Sequence, residues 1–211
     1  MSVRDIRRKY GQNYLKDPAV LFEMGEAISP NTFDTFIEIG PGLGALTNQI
    51  NKENVNIIGI DIDEDNIEVL KSKFKGPANF QFINADILKF NLEDSGTSLR
   101  IIGNLPYNIS TQIILNYVDS YKKIIDMHFL VQKEVAQKIA GKVSTKDWGK
   151  LAIKISAFFE IEILFDVPRE AFDIKPKVNS TFIRLLPKKD LSYNLSIKNN
   201  LYKIIDLAFS S

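Results

Sequence analysis

The sequence predicts an α/β fold with a mostly parallel, seven-stranded sheet. Between residues 35 and 86, short β-rich apolar runs alternate with amphipathic stretches, which is typical of strand-helix-strand units and a parallel sheet. Two more β-rich runs near the end of the chain flank a proline-containing loop. We expect these two runs to close the sheet as an antiparallel edge hairpin.

The first half of the chain supplies four strands and two helices of this predicted fold. Apolar runs predict strands over residues 35–39, 56–60, 80–84 and 99–102. Helical periodicity predicts helices over residues 45–51 and 64–74. The glycines between Gly40 and Gly44 turn the chain from the first strand into the first helix, and Asp61 ends the second strand.

The second half completes the sheet and ends in a helix. Strands are predicted over residues 127–131, 161–166 and 180–186, and a helix over 135–140. The apolar periodicity of residues 151–159 fits a helix or a strand, and we favour a helix. A polar linker follows Pro187, and residues 197–209 form one amphipathic helix. We therefore predict a domain over residues 1–189 and the start of an incomplete, helical second domain over residues 190–211.

The composition limits the classes of function that this chain can have. Hydrophobic residues make up 45% of the sequence and charged residues 25%, as is usual for a globular domain. No apolar run approaches the roughly 20 residues of a membrane span, and the charged amino terminus does not resemble a signal peptide, so we expect a cytoplasmic protein without membrane association. There is no cysteine and a single histidine, His128, so we expect no metal site.

The amino-terminal segment carries a cluster of basic residues. The net charge of the whole chain is only +1, so any surface for nucleic acid must come from local clustering. We predict that this cluster contacts RNA, although such runs are as often merely solvated termini. Its members are Arg4, Arg7, Arg8 and Lys9.

A glycine-rich run follows the first predicted strand. Glu38, Gly40, Gly42 and Gly44 form the pattern E-x-G-x-G-x-G, and Asp61 ends the next strand. Glycines let the backbone approach a ligand closely, and an acid at the end of the next strand can accept ribose hydroxyls. The spacing differs from the G-x-G-x-x-G of dinucleotide folds and is associated with class I, Rossmann-like methyltransferases that use S-adenosylmethionine. A plain tight turn is the alternative.

A second motif indicates the reaction. Asn104, Leu105, Pro106 and Tyr107 follow the fourth predicted strand, at the edge of the sheet where such folds bind ligands. The N6 amine of adenine is a poor nucleophile because its lone pair is delocalised, and two hydrogen-bond acceptors would favour localisation of that pair. The Asn104 side-chain oxygen and the Leu105 carbonyl are the candidate acceptors.

The last two residues of this motif would position the base. Pro106 restricts Leu105 to an extended conformation, which aims the Leu105 carbonyl outward. Tyr107 offers a ring on which an unstacked base can lie. The alternative for the whole motif is a turn at the end of a strand with a core tyrosine.

Two further side chains are candidates for the same site. Asp86, at the end of the third predicted strand, is placed to accept the adenine amine of the cofactor, and a turn aspartate is equally consistent with its spacing. Phe172, in the loop between the last two strands, is a candidate for the opposite wall of a base pocket, although loop phenylalanines usually pack inward.

The chain resembles the small-subunit ribosomal RNA adenine dimethyltransferases, the KsgA/Dim1 family, from Tyr10 to about Leu186. The matching segments are residues 11–15, 38–44, 103–111, 132–135 and 172–180. The resemblance implies a cofactor site formed by Asn13, Leu15, Gly40, Asp61, Asp86 and Asn104, with Tyr107 and Phe172 handling the target base. It further implies dimethylation of two adjacent adenosines near the 3′ end of small-subunit (16S) ribosomal RNA, within a precursor 30S particle. We also expect a monomer, and a reaction that needs no metal.

Three positions depart from the family pattern. Tyr14 stands where phenylalanine is usual, Asp61 where glutamate is common, and Ile174 where the first proline of F-x-P-x-P is expected.

Three other functions fit parts of the sequence: a sister enzyme that methylates large-subunit (23S) ribosomal RNA and confers antibiotic resistance, a non-catalytic RNA-binding or assembly factor, and a nicotinamide-dependent oxidoreductase. The intact Asn104–Tyr107 motif argues against the second, and the glycine spacing argues against the third.

Overall fold

A seven-stranded sheet forms the centre of the computed structural model, which describes residues 13–76, 79–189, 191 and 195–210. The strand order is β3-β2-β1-β4-β5-β7-β6. The strands β1 to β5 are parallel, whereas β7 is antiparallel to both of its neighbours, which confirms the predicted fold class and edge hairpin. The strands are β1 Thr35–Ile39, β2 Asn56–Asp61, β3 Phe80–Asn84, β4 Leu99–Asn104, β5 Ile124–Gln132, β6 Phe159–Val167 and β7 Ser180–Pro187.

Seven α-helices connect or flank these strands in the described part of the chain. The helices are α1 Pro18–Ile28, α2 Ala45–Ile50, α3 Glu64–Lys73, α4 Ser110–Asn116, α5 Lys133–Ile139, α6 Lys150–Ser156 and α7 Lys198–Ala208. The chain order of the strands reverses between β1 and β4. In open parallel sheets, ligands bind outside the carboxyl ends of the strands at such a reversal, so the fold itself places a cleft there.

The helix α1 was not predicted from the sequence, although its start carries a clear local signal. The Asp17 side chain accepts hydrogen bonds from the backbone N–H groups of Ala19 and Val20, and Pro18 occupies the first helical position. The helix ends at Ser29, which has a left-handed backbone conformation. Its buried side packs on the face of the sheet that carries Phe36.

The predicted helix over residues 151–159 is wrong at its end. The helix α6 stops at Ser156, and Phe159 already begins β6, where it pairs with Pro187. Helical periodicity could not place this boundary, because Phe158 and Phe159 are both fully buried, as they would be in either structure. The Lys188 N–H donates a hydrogen bond to the Phe158 carbonyl (2.9 Å), which extends the pairing of β6 with β7 beyond Phe159 and Pro187.

Two apolar clusters cover the two faces of the sheet. Alternation along β1 sends Ile37 and Ile39 to one cluster and Phe36 to the other, as the two-residue period of a strand requires. The first cluster includes α4, α5 and α6, and the second includes α1 and α2. Strands buried on both faces explain why the central runs of the sequence are continuously apolar.

The carboxyl-terminal helix α7 packs against α6. Lys154 binds the Asp206 carboxylate (2.7 Å), Tyr202 donates to the Lys154 carbonyl (3.3 Å), and Ile205 is buried. Ile204 and Leu207 are exposed on the other side of the helix. The assignment of residues 190–211 to a second domain stays a prediction. None of the helices described here is both long and apolar enough to cross a membrane.

His128 lies in β5 without a hydrogen-bond partner for either ring nitrogen among the described residues. Burial lowers the pKa of this histidine to about 4, and the nearby charges of Asp126, Arg100, Arg184 and Glu162 largely oppose one another. The side chain is therefore neutral in the folded protein at neutral pH.

We expect this histidine to make the fold sensitive to acid. In the unfolded chain, His128 takes up a proton below about pH 6.5, whereas the folded chain takes it up only near pH 4. The unfolding free energy should therefore fall between pH 6.5 and 4, by on the order of 3 kcal/mol relative to the variant His128→Leu. Urea unfolding of both proteins at several pH values measures this difference. If the difference in unfolding free energy between the two proteins stayed constant with pH, the lowered pKa of His128 would be contradicted.

Candidate active site

A cleft opens at the carboxyl ends of β1, β2 and β4, where the topology places it. Residues of both sequence motifs line it. Its lining residues are Asn13, Tyr14, Ile39, Gly40, Gly42, Ile60, Asp61, Ile62, Ala85, Asp86, Ile87, Asn104, Leu105, Pro106, Tyr107, Asn108 and Ile109. Most of the residues predicted for the site therefore share one cavity.

The glycine run forms the turn between β1 and α2. Gly40, Gly42 and Gly44 have φ values of 62°, 55° and 76°, a left-handed conformation that favours glycine. A Cβ atom on Gly42 would lie only 2.9 Å from a ring carbon of Tyr14. The absence of side chains here lets the backbone form the wall of the cleft.

Asp61 is held rigidly at the end of β2. One carboxylate oxygen accepts the Gly42 N–H (3.1 Å) and the Asn66 amide (3.1 Å), and the other accepts the Asp63 N–H (2.9 Å). Burial raises the pKa of Asp61, and these three hydrogen bonds oppose the shift. Each carboxylate oxygen can accept two hydrogen bonds. The oxygen that accepts only the Asp63 N–H can therefore accept one more, from a ligand hydroxyl.

Tyr14 extends this network over the glycine turn. Its hydroxyl donates to the Asn66 side-chain oxygen (2.9 Å), and Asn66 in turn donates to Asp61. The phenylalanine that is usual at this position could not make the first of these bonds. Asp173 fixes the backbone of Tyr14 by two hydrogen bonds.

Glu38 lies beneath the glycine turn rather than in the cleft. Its carboxyl group is buried and accepts the Thr47 hydroxyl (2.6 Å). Burial raises the pKa of Glu38 to about 7, and the bonds from Thr47 only partly offset this effect. This residue of the motif therefore supports the turn from below.

The side-chain amide of Asn104 has one possible orientation. Its nitrogen donates to the carbonyl oxygen of Asn13 (2.7 Å), and a carbonyl accepts hydrogen bonds but cannot donate them. The amide nitrogen must therefore face Asn13, and the side-chain oxygen is left as the acceptor at the cleft. The predicted role of Asn104 requires this orientation, because its side-chain oxygen is to accept a hydrogen bond from the adenine amine.

In the second motif, Leu105 and Tyr107 are each held by a hydrogen bond to a strand of the sheet. The Leu105 N–H donates to the Leu130 carbonyl (3.1 Å), which sets the peptide next to Asn104. The Tyr107 hydroxyl and the Ser180 hydroxyl are 2.7 Å apart, and Ser180 is fully buried at the start of β7. Burial raises the pKa of Tyr107, so the phenol stays protonated at neutral pH.

Asp86 lines the cleft as predicted, and its carboxylate also caps the turn that follows β3. One oxygen accepts the Leu88 N–H (3.0 Å), and the exposed Lys89 ammonium lies 3.8 Å from the other. Ile62 and Ile87 line the same cavity and offer apolar surface for a planar ring. An acceptor beside apolar walls suits an adenine ring.

Leu15 and Phe172 do not line this cleft. The two residues pair through their backbones, and both side chains belong to the apolar cluster that contains Phe36. Phe172 is only 2% exposed, so in this structure it packs inward, as loop phenylalanines usually do. Its predicted contact with a base stays a prediction.

Several predicted features are not tested by the structure. The basic residues Arg4, Arg7, Arg8 and Lys9 lie outside the described residues. Within the residues that are described, no group of three or more acidic or histidine side chains is arranged to hold a metal ion.

Sequence reasoning missed three residues of the site. Asn66 and Ser180 carry no motif of their own, and Tyr14 was noted only as a departure from a family pattern. Asn66 is five residues beyond Asp61, near the start of α3, which is the one signal that could have suggested the contact. Ser180 is 73 residues from Tyr107, and no spacing rule predicts that contact.

The chain is similar to known proteins over nearly its whole length. A family model described as ribosomal RNA adenine dimethylase matches residues 3–209. The ribosomal RNA small subunit methyltransferase A of Marinobacter nauticus is 39% identical over 207 residues, which are 97% of this chain and 75% of the relative. The protein of the same name from Wigglesworthia glossinidia brevipalpis is 42% identical over 186 residues, or 86% of this chain and 71% of the relative.

Solved structures show the same architecture. A dimethyladenosine transferase from Plasmodium falciparum superposes with a TM-score of 0.82 at 26% identity, covering 93% of this chain and 70% of that one. The 23S rRNA methyltransferase ErmE gives a TM-score of 0.78 at 25% identity, covering 94% of this chain and 79% of that one. Since the family model spans almost the entire sequence, the chain belongs to the ribosomal RNA adenine dimethylase family of methyltransferase enzymes, as the sequence resemblance predicted.

Proposed function

We propose that this protein transfers methyl groups from S-adenosylmethionine to the N6 amines of two adjacent adenosines near the 3′ end of 16S ribosomal RNA. The observation that carries the proposal is the orientation of Asn104, whose amide nitrogen is bound to Asn13 so that its oxygen can accept the amine. The names of the relatives support small-subunit RNA as the substrate, because the relatives named for that subunit are 39–42% identical and the 23S enzyme is 25% identical.

The residues of the cleft fit S-adenosylmethionine. The glycine turn offers backbone without side chains, Asp61 retains an acceptor position for a ribose hydroxyl, and Asp86 lies beside apolar walls for the adenine ring. When bound, S-adenosylmethionine supplies a methyl group that is activated by a sulfonium centre. The backbone carbonyl of Asn13 is already taken by Asn104, so this bond ties the cofactor side of the cleft to the catalytic motif.

The target amine is positioned by two acceptors and a ring. The side-chain oxygen of Asn104 and the carbonyl oxygen of Leu105 each accept one N–H of the adenine amine, which directs the nitrogen lone pair out of the ring plane. The ring of Tyr107 stacks on the extruded base. The surplus proton leaves to water, so no strong base is required. Each transfer releases S-adenosylhomocysteine. The singly methylated amine keeps one N–H for one of the two acceptors, and a second transfer to the same nitrogen from a second methyl donor gives the dimethylated product.

We further infer that the physiological substrate is a precursor 30S particle and that the protein acts as a monomer. A folded particle presents the two adenosines together, and a single cleft modifies them in turn. The test is transfer of labelled methyl groups to small-subunit particles from cells that lack this activity. We expect label in these particles and none in large-subunit RNA. Label in large-subunit RNA alone would reverse the assignment of the substrate.

The hydrogen bond between Tyr107 and Ser180 predicts a matched pair of variants. Tyr107→Phe and Ser180→Ala each remove one partner of the buried bond, so each should lower the rate of methyl transfer by about fivefold through a less rigid ring. The double variant should be no slower than either single variant, because only one interaction is lost. Single-turnover rates with all three proteins measure this coupling. If the rate losses of the two single variants multiplied in the double variant, the two hydroxyls would act independently.

A further inference from the structure

A groove beside the catalytic motif is lined by three cationic side chains. Lys133, Arg169 and Lys177 border an open surface depression, which we call the cationic groove. Its other lining residues are Glu134, Gln137, Val178 and Asn179. None of these residues lines the cleft that holds the two motifs.

Asn179 fixes the two sides of the groove relative to each other. The backbone N–H of Lys133 donates to the Asn179 carbonyl (3.0 Å), and the N–H of Arg169 donates to the Asn179 side-chain oxygen (3.2 Å). The start of α5 and the turn before Phe172 are therefore held around one residue. The Lys133 and Arg169 side chains remain 44% and 46% exposed, so both reach solvent.

The groove is joined directly to the target-base motif. Ser180 follows Asn179 in the chain, and its hydroxyl lies 2.7 Å from the Tyr107 hydroxyl. An RNA strand that presents an adenosine to Tyr107 must continue past this point on at least one side of the base. The phosphates that flank the target nucleotide would then lie near the groove.

The charges around the groove favour an anion. Lys177 forms no ion pair with any described residue, and the one acidic lining residue, Glu134, is paired with Lys138 (2.7 Å). Lys133 contacts Asp166 (2.5 Å), and Arg169 is 3.5 Å from Glu170. Because these pairs are exposed, they are weak and can exchange for a phosphate.

We propose that the cationic groove binds backbone phosphates of the RNA strand next to the target adenosine, an inference that rests on the proposed function. Lysine and arginine contacts to phosphate are the main source of affinity in protein–RNA complexes, and they release counterions. Each contact therefore contributes to the salt dependence of RNA binding and carries no sequence preference. The groove sets the register of the strand, and the cleft selects the base.

The test compares Lys177→Gln and Arg169→Gln with the parent in methyl transfer to small-subunit particles at several salt concentrations. Each variant should raise the KM for the particle roughly three- to tenfold and reduce the slope of log KM against log salt by about 0.7. The kcat at saturating particle and the affinity for S-adenosylhomocysteine should not change. Lys52→Gln is the control, since it removes the same charge from an exposed residue that lies between α2 and β2 and does not line the groove.

An unchanged KM and slope in the groove variants, or an equal rise with Lys52→Gln, would overturn the proposal. Failure of the proposed function has a different signature, since the parent itself would then transfer no methyl groups. In that case the same variants are compared by direct binding to the particle, where the slope must still fall for the groove to be a phosphate site.

Discussion

The variant Asn104→Ala is expected to transfer methyl groups about 10²- to 10³-fold more slowly than the parent. Alanine removes the side-chain oxygen that we propose as the acceptor for the target amine, and also the donor that binds the Asn13 carbonyl. The transition state therefore loses an oriented acceptor, and the cofactor side of the cleft loses its link to β4. Single-turnover transfer of labelled methyl to small-subunit particles measures the loss.

The variant Asn104→Asp separates shape from hydrogen-bond polarity. Aspartate has the same shape, but it places a carboxylate oxygen against the Asn13 carbonyl, where only a donor fits. We therefore expect this variant to be as inactive as Asn104→Ala, and to bind S-adenosylhomocysteine more weakly in calorimetry because Asn13 is displaced. If either variant kept more than about a tenth of the parent rate, the role of Asn104 would be refuted.

The largest effect on stability is expected from Arg100→Met. The buried guanidinium of Arg100 binds both oxygens of Asp126 (2.8 and 3.0 Å) and the Asp34 carboxylate (2.7 Å). It also donates to the backbone carbonyls of Ile28 and Ser29 at the end of α1. Removing it leaves the carboxylates of Asp126 and Asp34 and two carbonyls without this donor, which should lower the unfolding free energy by about 3–5 kcal/mol.

Thermal and urea unfolding measure this change against an exposed ion pair. Lys138→Met breaks the pair between Glu134 and Lys138 on the surface of α5 and should lower the unfolding free energy far less, because solvent screens an exposed pair. Replacing Asp126 by leucine together with Arg100→Met should recover part of the loss, because of the two carboxylates only that of Asp34, which is the more exposed, then lacks its partner. Equal losses for Arg100→Met and Lys138→Met would show that the buried cluster contributes little.

Much of the fold follows from local signals in the sequence. The run that forms β1 lies between Asp34 and Gly40, and the run that forms β3 follows Asn79 and ends in Asn84. Their predicted ends agree with the structure to the residue. The edge hairpin was predicted as well, since two β-rich runs joined by one loop favour antiparallel pairing. The helix α1 was missed because its apolar residues follow a segment of basic residues, and only Asp17 and Pro18 mark its start.

In the candidate site, too, some residues could be predicted from local signals in the sequence and others could not. Gly40, Gly42, Asp61 and Asn104 were predicted because they stand in motifs at the ends of strands, and the topology brings such ends together. The contacts of Asn66, Ser180 and Arg100 depend on the tertiary fold, because their partners are distant in the sequence or lie on other elements. Phe172 shows the same limit, since only the packed structure places its side chain in the apolar cluster.

The most direct test of the proposed function is mass spectrometry of nucleosides released from small-subunit particles after incubation with the protein and S-adenosylmethionine. The cleft that we describe predicts N6,N6-dimethyladenosine at two adjacent positions near the 3′ end of the RNA with the parent protein, and none with Asn104→Ala. Formation of N6-monomethyladenosine alone, or modification confined to large-subunit RNA, would contradict the proposed function.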